Sequence, residues 1–512
     1  MRKILNILSS GPILAGAAFI LYIQTLAPGV WGFDSAELAT GVFTWGIVHP
    51  PGYPLYLIIG KIFAFLVPIK DLAYRLNLMS AFFAAITVYL VYLVIQQVTG
   101  KRLAAWVGAG FFAVSNQFWQ MAIVAEVYTL HTFFLALNLL LVLHWHKTGH
   151  WRFIYAFAFS FGLSLANHTT GLLFAPGFLL LILSTSTTFL SNWRKWLLAS
   201  FFFLLGLIPY IYLPLRTLAN PELDYVKAYY GIDLTTLKGI FWMVSGQAYR
   251  FFAFGYPLSE VFNEGVRFIG LLWRNYFGIG VLLGVIGFTW KWSKKWKLNI
   301  GLLLIFLGNT IFFINYRVLD KDTMFLPAYL VWAIWAGEGI SYLSAGLFSI
   351  MKDYPFRLVT EKIVLVSMVL AVILGASMNY RWLDMSRNFG KQGVALEVLE
   401  TASPNSTIIA QWSSAVMLEY YQTVEGLRTD LKIINRSRVD VALYYKYWSQ
   451  GWKPEEILRL ISQNDLQMVY AEIKHRTVYV IEYDPLFLSG FEYLPQGNYY
   501  KLSLLDKIEP AP

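Results

Sequence analysis

The chain has 512 residues, of which 57% are hydrophobic and only 14% are charged. Soluble domains carry about 25% charged residues, so the composition excludes an ordinary soluble protein and predicts a polytopic membrane protein. The net charge of +10 comes mostly from short loops between apolar runs, which predicts membrane topology and contact with anionic lipids and disfavours nucleic acid as a partner. The absence of cysteine excludes disulfides and cysteine-based catalysis or metal binding.

The first apolar run, residues 13–26, follows Arg2 and Lys3. It predicts either an uncleaved first span or a signal peptide with a cleavage region near 15–18. We favour the span because a polar loop that carries candidate chemistry follows it at once. The basic start of the chain then places the N-terminus in the cytoplasm and this loop outside, at the cell membrane if the protein is prokaryotic.

The next apolar run, residues 55–67, contains Lys61 and is shorter than the ~20 residues that cross a bilayer. It predicts an interfacial or re-entrant helix on the outer side, so residues 27–74 form one outer loop. The alternative, a true span, is disfavoured because it would put the later basic loops outside. These loops carry Lys101, Arg102, Lys147, Arg152, Arg194, Lys195, Lys291, Lys294, Lys295, Lys297, Lys352, Arg357 and Lys362.

The remaining apolar runs complete a polytopic α-helical domain over residues 1–380, with about eleven spans. Their predicted positions are 11–27, 75–98, 103–118, 125–144, 152–166, 170–187, 196–213, 267–290, 299–315, 325–349 and 361–379.

Hydropathy falls after Tyr380, and residues 381–512 read as a soluble, extracytoplasmic α/β domain. Alternating apolar residues predict strands and periodic ones predict helices. The predicted strands are 407–410, 431–434, 468–471 and 478–481, and the predicted helices are 413–423 and one that begins at Pro454 and includes 457–461.

The polar residues that interrupt the apolar runs collect on the outer face of this topology. Random placement would scatter them over both faces, so the pattern predicts one outward-facing cavity. Its candidate residues are Asp34, Glu37, His49, Glu126, Tyr128, His131, Asn167, His168, Arg216, Arg317, Asp320, Lys321 and Asp322.

Asp34 and Glu37 admit two interpretations, because acids at this spacing also form capping boxes with Asp34 or Ser35 near the N-cap. Transfer of a group to a hydroxyl needs a carboxylate that takes the proton. We favour Asp34 as that catalytic base and weigh capping and function equally for Glu37.

The other candidates also have structural alternatives. Glu126 and Tyr128 could form a packing network, and His168 could be a buried turn residue. Arg216 could be an interfacial side chain, and Arg317 and Lys321 could balance Asp320 and Asp322. We assign these residues to substrate binding because a phosphate leaving group needs cations. A divalent metal on Asp34, Glu126, His168 and Asp322 has no supporting spacing, so no metal site or cofactor is predicted.

The order of motifs resembles the GT-C superfamily of membrane glycosyltransferases. These motifs are DSAE and HPPGYPLY in the first loop, followed by AEVYTLH, GLSLANHTTG, YLPLR and FLPAY. Within the superfamily, the chain is similar to a branch long catalogued as a membrane family of unknown function. That branch includes animal O-mannosyltransferases that act on plexin-type domains. The resemblance covers residues 10–345 and extends to 423–430. The chain departs from the family pattern at 221–225, where PELDY replaces an Asp/Gly-rich stretch.

The resemblance implies transfer of a sugar, such as mannose, from a polyprenyl-phosphate donor to an acceptor hydroxyl on protein or glycan. It implies inversion at the sugar, with the first-loop Asp34 as base, and no consistent requirement for metal. The alternative function is a transporter or a flippase for lipid-linked sugars, which usually shows repeated halves and broken midplane spans. We find no such symmetry in the sequence.

Overall fold

A computed structural model describes residues 10–185, 191–290, 292–318, 320–350, 357–484 and 490–505. Four basic residues used in the topology prediction, Arg2, Lys3, Lys291 and Lys352, lie outside these ranges.

The regular secondary structure described for the N-terminal part is helical apart from two isolated β-bridges, and helices occur at each predicted span. The helices up to the middle of this part are Gly11–Gln24, Asp34–Thr44, Pro54–Leu66, Leu72–Thr99, Arg102–Ala113, Asn116–Ala122, Tyr128–Thr148 and Arg152–Asn167, then the 3-10 helix Thr169–Phe174 and the helix Ala175–Leu183. They continue as Trp193–Gly206, the 3-10 helix Ile208–Ile211, Tyr212–Ala219, Tyr225–Tyr230, Leu237–Val244, the 3-10 helix Gln247–Phe252, Leu258–Asn275, Ile279–Thr289, Trp292–Ile314, the 3-10 helix Lys321–Phe325, Leu326–Ile350 and Arg357–Leu383.

Length and hydropathy identify which described helices can cross a membrane. Four qualify alone, and six do if each of two bent pairs is one span. Four shorter apolar helices add to the hydrophobic body, among them the helix Pro54–Leu66 of the first outer loop. The chain is therefore an integral membrane protein, and the predicted number of about eleven spans stays a prediction.

The predicted span over 267–290 is not one continuous helix. Two helices, Leu258–Asn275 and Ile279–Thr289, meet there at 106°. Phe277 and Gly278 both have positive φ, at 54° and 66°, and residues in this left-handed region end an α-helix. Hydropathy alone could not detect the break because apolar residues lie on both sides of it.

Close helix packing in this part depends on glycine. A Cβ atom on Gly287 would lie 1.8 Å from the carbonyl oxygen of Trp335, and one on Gly339 would lie 2.0 Å from that of Leu283. Only residues without a side chain let the helices Ile279–Thr289 and Leu326–Ile350 approach so closely.

The C-terminal domain contains a mixed five-stranded sheet in the order β2-β1-β3-β5-β4. β1 is parallel to both β2 and β3, and β5 is antiparallel to β3 and β4. The strands are β1 (Thr407–Ala410), β2 (Lys432–Asn435), β3 (Val478–Val480), β4 (Phe491–Pro495) and β5 (Tyr500–Leu504), and the helices are Gly390–Thr401, Trp412–Thr423, Arg436–Trp448 and Pro454–Ile473.

Three of the four predicted strands are confirmed to within one residue, as are the helix at 413–423 and the helix start at Pro454. The strand predicted at 468–471 is wrong because it lies inside the helix Pro454–Ile473. The buried residues of that helix recur every four positions, at Ile457, Ile461, Asp465 and Val469. A short apolar run read alone fits either structure, whereas this longer period marks a helix face.

The C-terminal domain packs on the loop 27–74, which the sequence predicts on the outer side. The helix Trp412–Thr423 packs on the helix Asp34–Thr44, and the backbone N–H of Phe33 donates to Ser413 Oγ at 3.1 Å. A Cβ atom on Gly32 would lie 2.1 Å from the same Oγ, so glycine is needed for this close approach.

Candidate active site

The candidate site is built around the helix Asp34–Thr44. Asp34 and Glu37 lie three residues apart in its first turn, so their side chains share one face. Ser35 points elsewhere, and its Oγ donates to the carbonyl of Ala125 at 2.8 Å. That bond joins the helix to the segment that carries Glu126.

The capping interpretation of Glu37 is wrong. The N-cap residue is Phe33, and it makes no side-chain capping bond. Glu37 instead accepts hydrogen bonds from the backbone N–H of His49 at 3.3 Å, from His49 Nδ1, and from Arg438 Nη2 at 3.4 Å. Glu37 is almost fully buried, at 1% exposure, so its charge depends on these partners.

His49 lies between the two carboxylates. Its Nδ1 contacts Glu37, and its Nε2 lies 3.5 Å from Asp34 Oδ2 and 3.1 Å from the hydroxyl of Tyr53. Burial favours the neutral ring, but the charges of Asp34 and Glu37 outweigh it and raise the pKa of His49 to about 9. At neutral pH the site therefore contains an imidazolium between two acids.

Asp34 has a carboxylate suited to accepting a proton. Burial raises its pKa, His49 opposes that rise, and Glu37 adds to it. Trp412 Nε1 donates to Asp34 Oδ1 at 3.1 Å and favours the ionised form. The net rise makes Asp34 a stronger base than an exposed aspartate, while the ion pair holds it in place.

The C-terminal domain supplies three residues of the site that sequence reasoning missed. Besides Trp412 these are Arg438, at 4% exposure, and Glu419. Arg438 Nη1 donates to both carboxylate oxygens of Glu419, at 2.8 and 2.7 Å. No local motif marks these residues, since each is an ordinary helix residue until the domain docks.

Two further carboxylates, Glu126 and Asp320, lie within electrostatic range of Asp34. Burial raises the pKa of Asp320 to about 6, and the negative charge of Asp34 adds to this rise. Glu126 Oε2 is buried without a hydrogen-bond partner among the described residues. Asp320 was predicted on the outer face but not as a binding residue. Asp322, which was predicted to bind substrate, forms an ion pair with Arg267 at 2.8 Å.

Next to His49 lies a cluster of tyrosine and histidine rings, formed by Tyr53, Tyr128, His131 and His168. Tyr53 lies 5.5 Å from His168 between ring centroids, and His168 lies 5.9 Å from Tyr128 and 5.0 Å from His131. The backbone N–H of Thr170 donates to His168 Nδ1 at 3.3 Å. Because Nδ1 accepts this bond, the ring is neutral with its hydrogen on Nε2.

The predicted cations lie in two different places. Arg216 Nε donates to the carbonyl of Trp45 at 2.6 Å. Trp45 follows the last residue of the helix Asp34–Thr44, so this contact lies about 15 Å from Asp34 along the helix axis. Lys321 is buried against Glu264 at 2.8 Å and the hydroxyl of Tyr256 at 3.0 Å. The guanidinium of Arg317 lies 5.5 Å from the centre of the same Tyr256 ring.

Lys321 and Arg317 share the segment of Asp320, whose pKa responds to Asp34, so this segment reaches the site. Among the described residues, Arg216 forms no hydrogen bond or ion pair with Asp34, Glu37 or His49. No group of three or more His, Asp or Glu side chains in the described ranges is arranged to hold a metal ion.

A cavity of about 530 Å³ opens beside Glu37. Its walls come from the helix Asp34–Thr44, the outer segment 220–229 and the C-terminal domain. None of these elements lies in a predicted span. Its charged lining residues are Glu37, Glu222, Asp224, Lys227, Glu419 and Arg438.

Comparison with known proteins gives matches in sequence and in fold. Residues 34–191 match the model of the Protein O-mannosyl-transferase TMEM260 N-terminal domain. Protein O-mannosyl-transferase TMEM260 of Mus musculus is 26% identical over 454 residues, which are 83% of this chain and 62% of the mouse protein. The Dictyostelium discoideum protein of the same name is 25% identical over 468 residues, 81% of this chain and 56% of the relative. The chain thus spans about three fifths of the length of these relatives.

Two solved structures share the fold over nearly the whole chain. ArnT from Cupriavidus metallidurans, bound to undecaprenyl phosphate, has a TM-score of 0.56 at 11% identity and covers 98% of this chain and 99% of ArnT. The Archaeoglobus fulgidus oligosaccharyltransferase, tethered with an acceptor peptide, has a TM-score of 0.53 at 13% identity. The match covers 96% of this chain and 74% of the oligosaccharyltransferase chain. The resemblance predicted from the motifs is therefore confirmed: the chain has the GT-C fold, and its residues 34–191 match the TMEM260 N-terminal domain.

Proposed function

We propose that this protein is an inverting glycosyltransferase that moves mannose from a polyprenyl-phosphate donor to a hydroxyl of a protein acceptor. The observation that carries the proposal is the buried Asp34 carboxylate, held by His49 and Trp412 in a protein of GT-C fold. The names of the two curated relatives support protein O-mannosylation as the reaction. The predicted topology puts the site at the outer face of the membrane.

The reaction begins with the acceptor hydroxyl hydrogen-bonded to Asp34. Asp34 takes its proton while the oxygen attacks the anomeric carbon of the sugar. The bond from that carbon to the phosphate oxygen breaks, and its electron pair leaves with the polyprenyl phosphate. Attack from the side opposite the leaving group inverts the anomeric configuration. Asp34 ends the step as a carboxylic acid and returns its proton to water.

His49 and Glu37 hold Asp34 ready for this step. The imidazolium of His49 contacts both carboxylates, so it keeps Asp34 ionised until the hydroxyl arrives. Glu37 fixes the ring through Nδ1, which leaves Nε2 facing Asp34. This preorganisation avoids rearrangement during the reaction.

The donor phosphate binds on the membrane side of Asp34. His168 offers Nε2–H as a donor, and Lys321 and Arg317 offer positive charge on the segment that contains Asp320. ArnT, which shares the fold, was solved with undecaprenyl phosphate bound, and this supports a lipid phosphate here. Arg216 lies at the other end of the catalytic helix, where it suits a lipid headgroup at the interface better than the reacting phosphate.

The acceptor enters from the aqueous side through the 530 Å³ cavity beside Glu37. Ligand sites commonly have volumes of roughly 300–1,000 Å³, so the cavity has room for a short peptide segment or a sugar. Its inner end is one helical turn from Asp34, which brings a bound hydroxyl towards the base. A glycan acceptor would use the same route.

The assignment is tested with the purified full chain in nanodiscs, supplied with radiolabelled mannosyl polyprenyl phosphate and an acceptor-domain library. We expect time-dependent label on protein with release of one polyprenyl phosphate per mannose transferred. Movement of the lipid-linked sugar between the two leaflets of sealed vesicles, measured in parallel, reports a flippase. Translocation without phosphate release would contradict the proposal and favour the transporter alternative.

Trp412→Phe is expected to slow transfer about 10-fold, because it removes one hydrogen bond to a charged group while an aromatic ring remains. Loss of that bond also raises the pKa of Asp34, so the acid limb of the rate profile moves to higher pH. The matched control is Trp452→Phe, which alters an exposed tryptophan of the same domain whose ring lies 4.7 Å from that of Tyr447 between centroids. An unchanged rate and profile for Trp412→Phe would exclude its contact with Asp34 during the reaction.

A further inference from the structure

Arg438 is a deeply buried cation beside Glu37. It lies on the helix Arg436–Trp448 of the C-terminal domain and is 4% exposed. Its guanidinium carbon lies 5.0 Å from the ring centre of Trp412, 5.4 Å from that of Tyr225 and 5.7 Å from that of Tyr229. A charge buried this deeply is costly unless it is paired on several sides, so its position is specific.

Two carboxylates from different parts of the chain meet at this guanidinium. Glu419 belongs to the C-terminal domain and accepts both bonds from Nη1. Glu37 belongs to the first outer loop and accepts from Nη2 at 3.4 Å. Arg438 therefore joins the domain to the helix that carries Asp34, through side chains that are both within the site.

We propose that Arg438 is a positioning residue of the catalytic centre, through which the C-terminal domain orients Glu37, then His49, and thereby Asp34. The inference rests on the proposed function and deepens it. Arg438 does not reach Asp34 itself. It holds the Glu37 carboxylate, Glu37 holds His49 Nδ1, and His49 Nε2 faces Asp34.

The chemistry of the contacts requires arginine. A planar guanidinium can bind two carboxylates and stack on aromatic rings at once, whereas a lysine ammonium is a single charged point. Arg438 Nε has no acceptor among the described residues, and Arg438 lines the cavity assigned to the acceptor.

The charges around Glu37 determine the pH dependence of the network. Burial disfavours its carboxylate, but His49 and Arg438 together outweigh burial and lower the pKa of Glu37. Asp34 lies one turn away on the same helix, and Glu419 and Tyr225 lie across the guanidinium. Without Arg438 the pKa of Glu37 rises, so protonation would release His49 at a higher pH.

The test measures rate against pH for Arg438→Gln, Arg438→Lys and Glu419→Gln in the full chain. We expect Arg438→Gln to lower kcat about 10-fold, to leave KM for the lipid donor unchanged and to shift the acid limb of kcat to higher pH. Arg438→Lys keeps the positive charge, so its acid limb should lie between those of the unaltered chain and Arg438→Gln. Glu419→Gln removes a negative charge that repels Glu37 across the guanidinium. The pKa of Glu37 should therefore fall, and the acid limb of this variant should shift to lower pH.

A matched control separates positioning from domain stability. Arg428→Gln alters another arginine of the same domain, which bonds Asp430 and the carbonyl of Leu399. It should lower thermal stability without moving the pH profile. Opposite shifts for Arg438→Gln and Glu419→Gln cannot arise from simple loosening of the domain, so they remain informative if one variant is destabilised.

The failure of this inference is distinguishable from that of the proposed function. If the unaltered chain transfers no mannose, the proposed function fails. If the unaltered chain is active but Arg438→Gln retains its kcat and pH profile, the inference alone is overturned. A shift of the same size in Arg428→Gln would also overturn it, because the effect would then come from the domain as a whole.

Discussion

Asp34→Asn is expected to reduce sugar transfer at least ~100-fold, with the protein still folded and able to bind the lipid donor. The amide keeps the size of the side chain and can still accept from Trp412 Nε1. It cannot take the proton of the acceptor hydroxyl. The measurement is kcat with labelled mannosyl polyprenyl phosphate, alongside the dissociation constant of the donor.

Asp71→Asn provides the matched control. Asp71 lies in the same outer loop and caps the helix Leu72–Thr99 by accepting from the N–H of Tyr74. Asparagine caps helices about as well as aspartate, so this variant should transfer sugar at the normal rate. Near-normal transfer by Asp34→Asn would remove Asp34 as the base. The neighbouring acids Glu126 and Asp320 would then be the next candidates.

His49→Gln is expected to remove a pH-dependent contribution to stability of about 3 kcal/mol. The pKa of His49 is raised in the folded protein from the usual 6.5 to about 9. The folded state therefore binds its proton more tightly than the unfolded state does. The stabilisation is fully present below pH 6.5 and is lost as the pH rises through about 9.

The measurement is the thermal unfolding temperature of both proteins in one detergent from pH 6 to pH 10. The unaltered chain should lose stability relative to His49→Gln over the upper part of this range. Replacement of the exposed His475 by glutamine serves as the control and should leave the slope unchanged. Parallel curves for His49→Gln and the unaltered chain would mean that His49 is not charged between Asp34 and Glu37.

The local sequence carries much of the site. DSAE and HPPGYP are close along the chain, so a helix turn and one short loop suffice to bring Asp34, Glu37 and His49 together. Hydropathy likewise located the helices, because long apolar runs must bury their backbone polar groups in helices. It did not detect the bend between Leu258–Asn275 and Ile279–Thr289, because a change in φ at two residues does not alter hydropathy.

By itself, the sequence determined the membrane class and the α/β character of the C-terminal domain, and it singled out Asp34, Glu37 and His49 as candidate site residues. Only the tertiary structure decided which distant groups join them. Trp412 and Asp34 are 378 residues apart, and Arg438 and Glu37 are 401 apart. Such contacts depend on how the C-terminal domain docks, and no residue spacing encodes them. The same docking gives Glu37 its place within the site, where local pattern alone allowed a helix cap, because its buried charge finds His49 and Arg438 as partners.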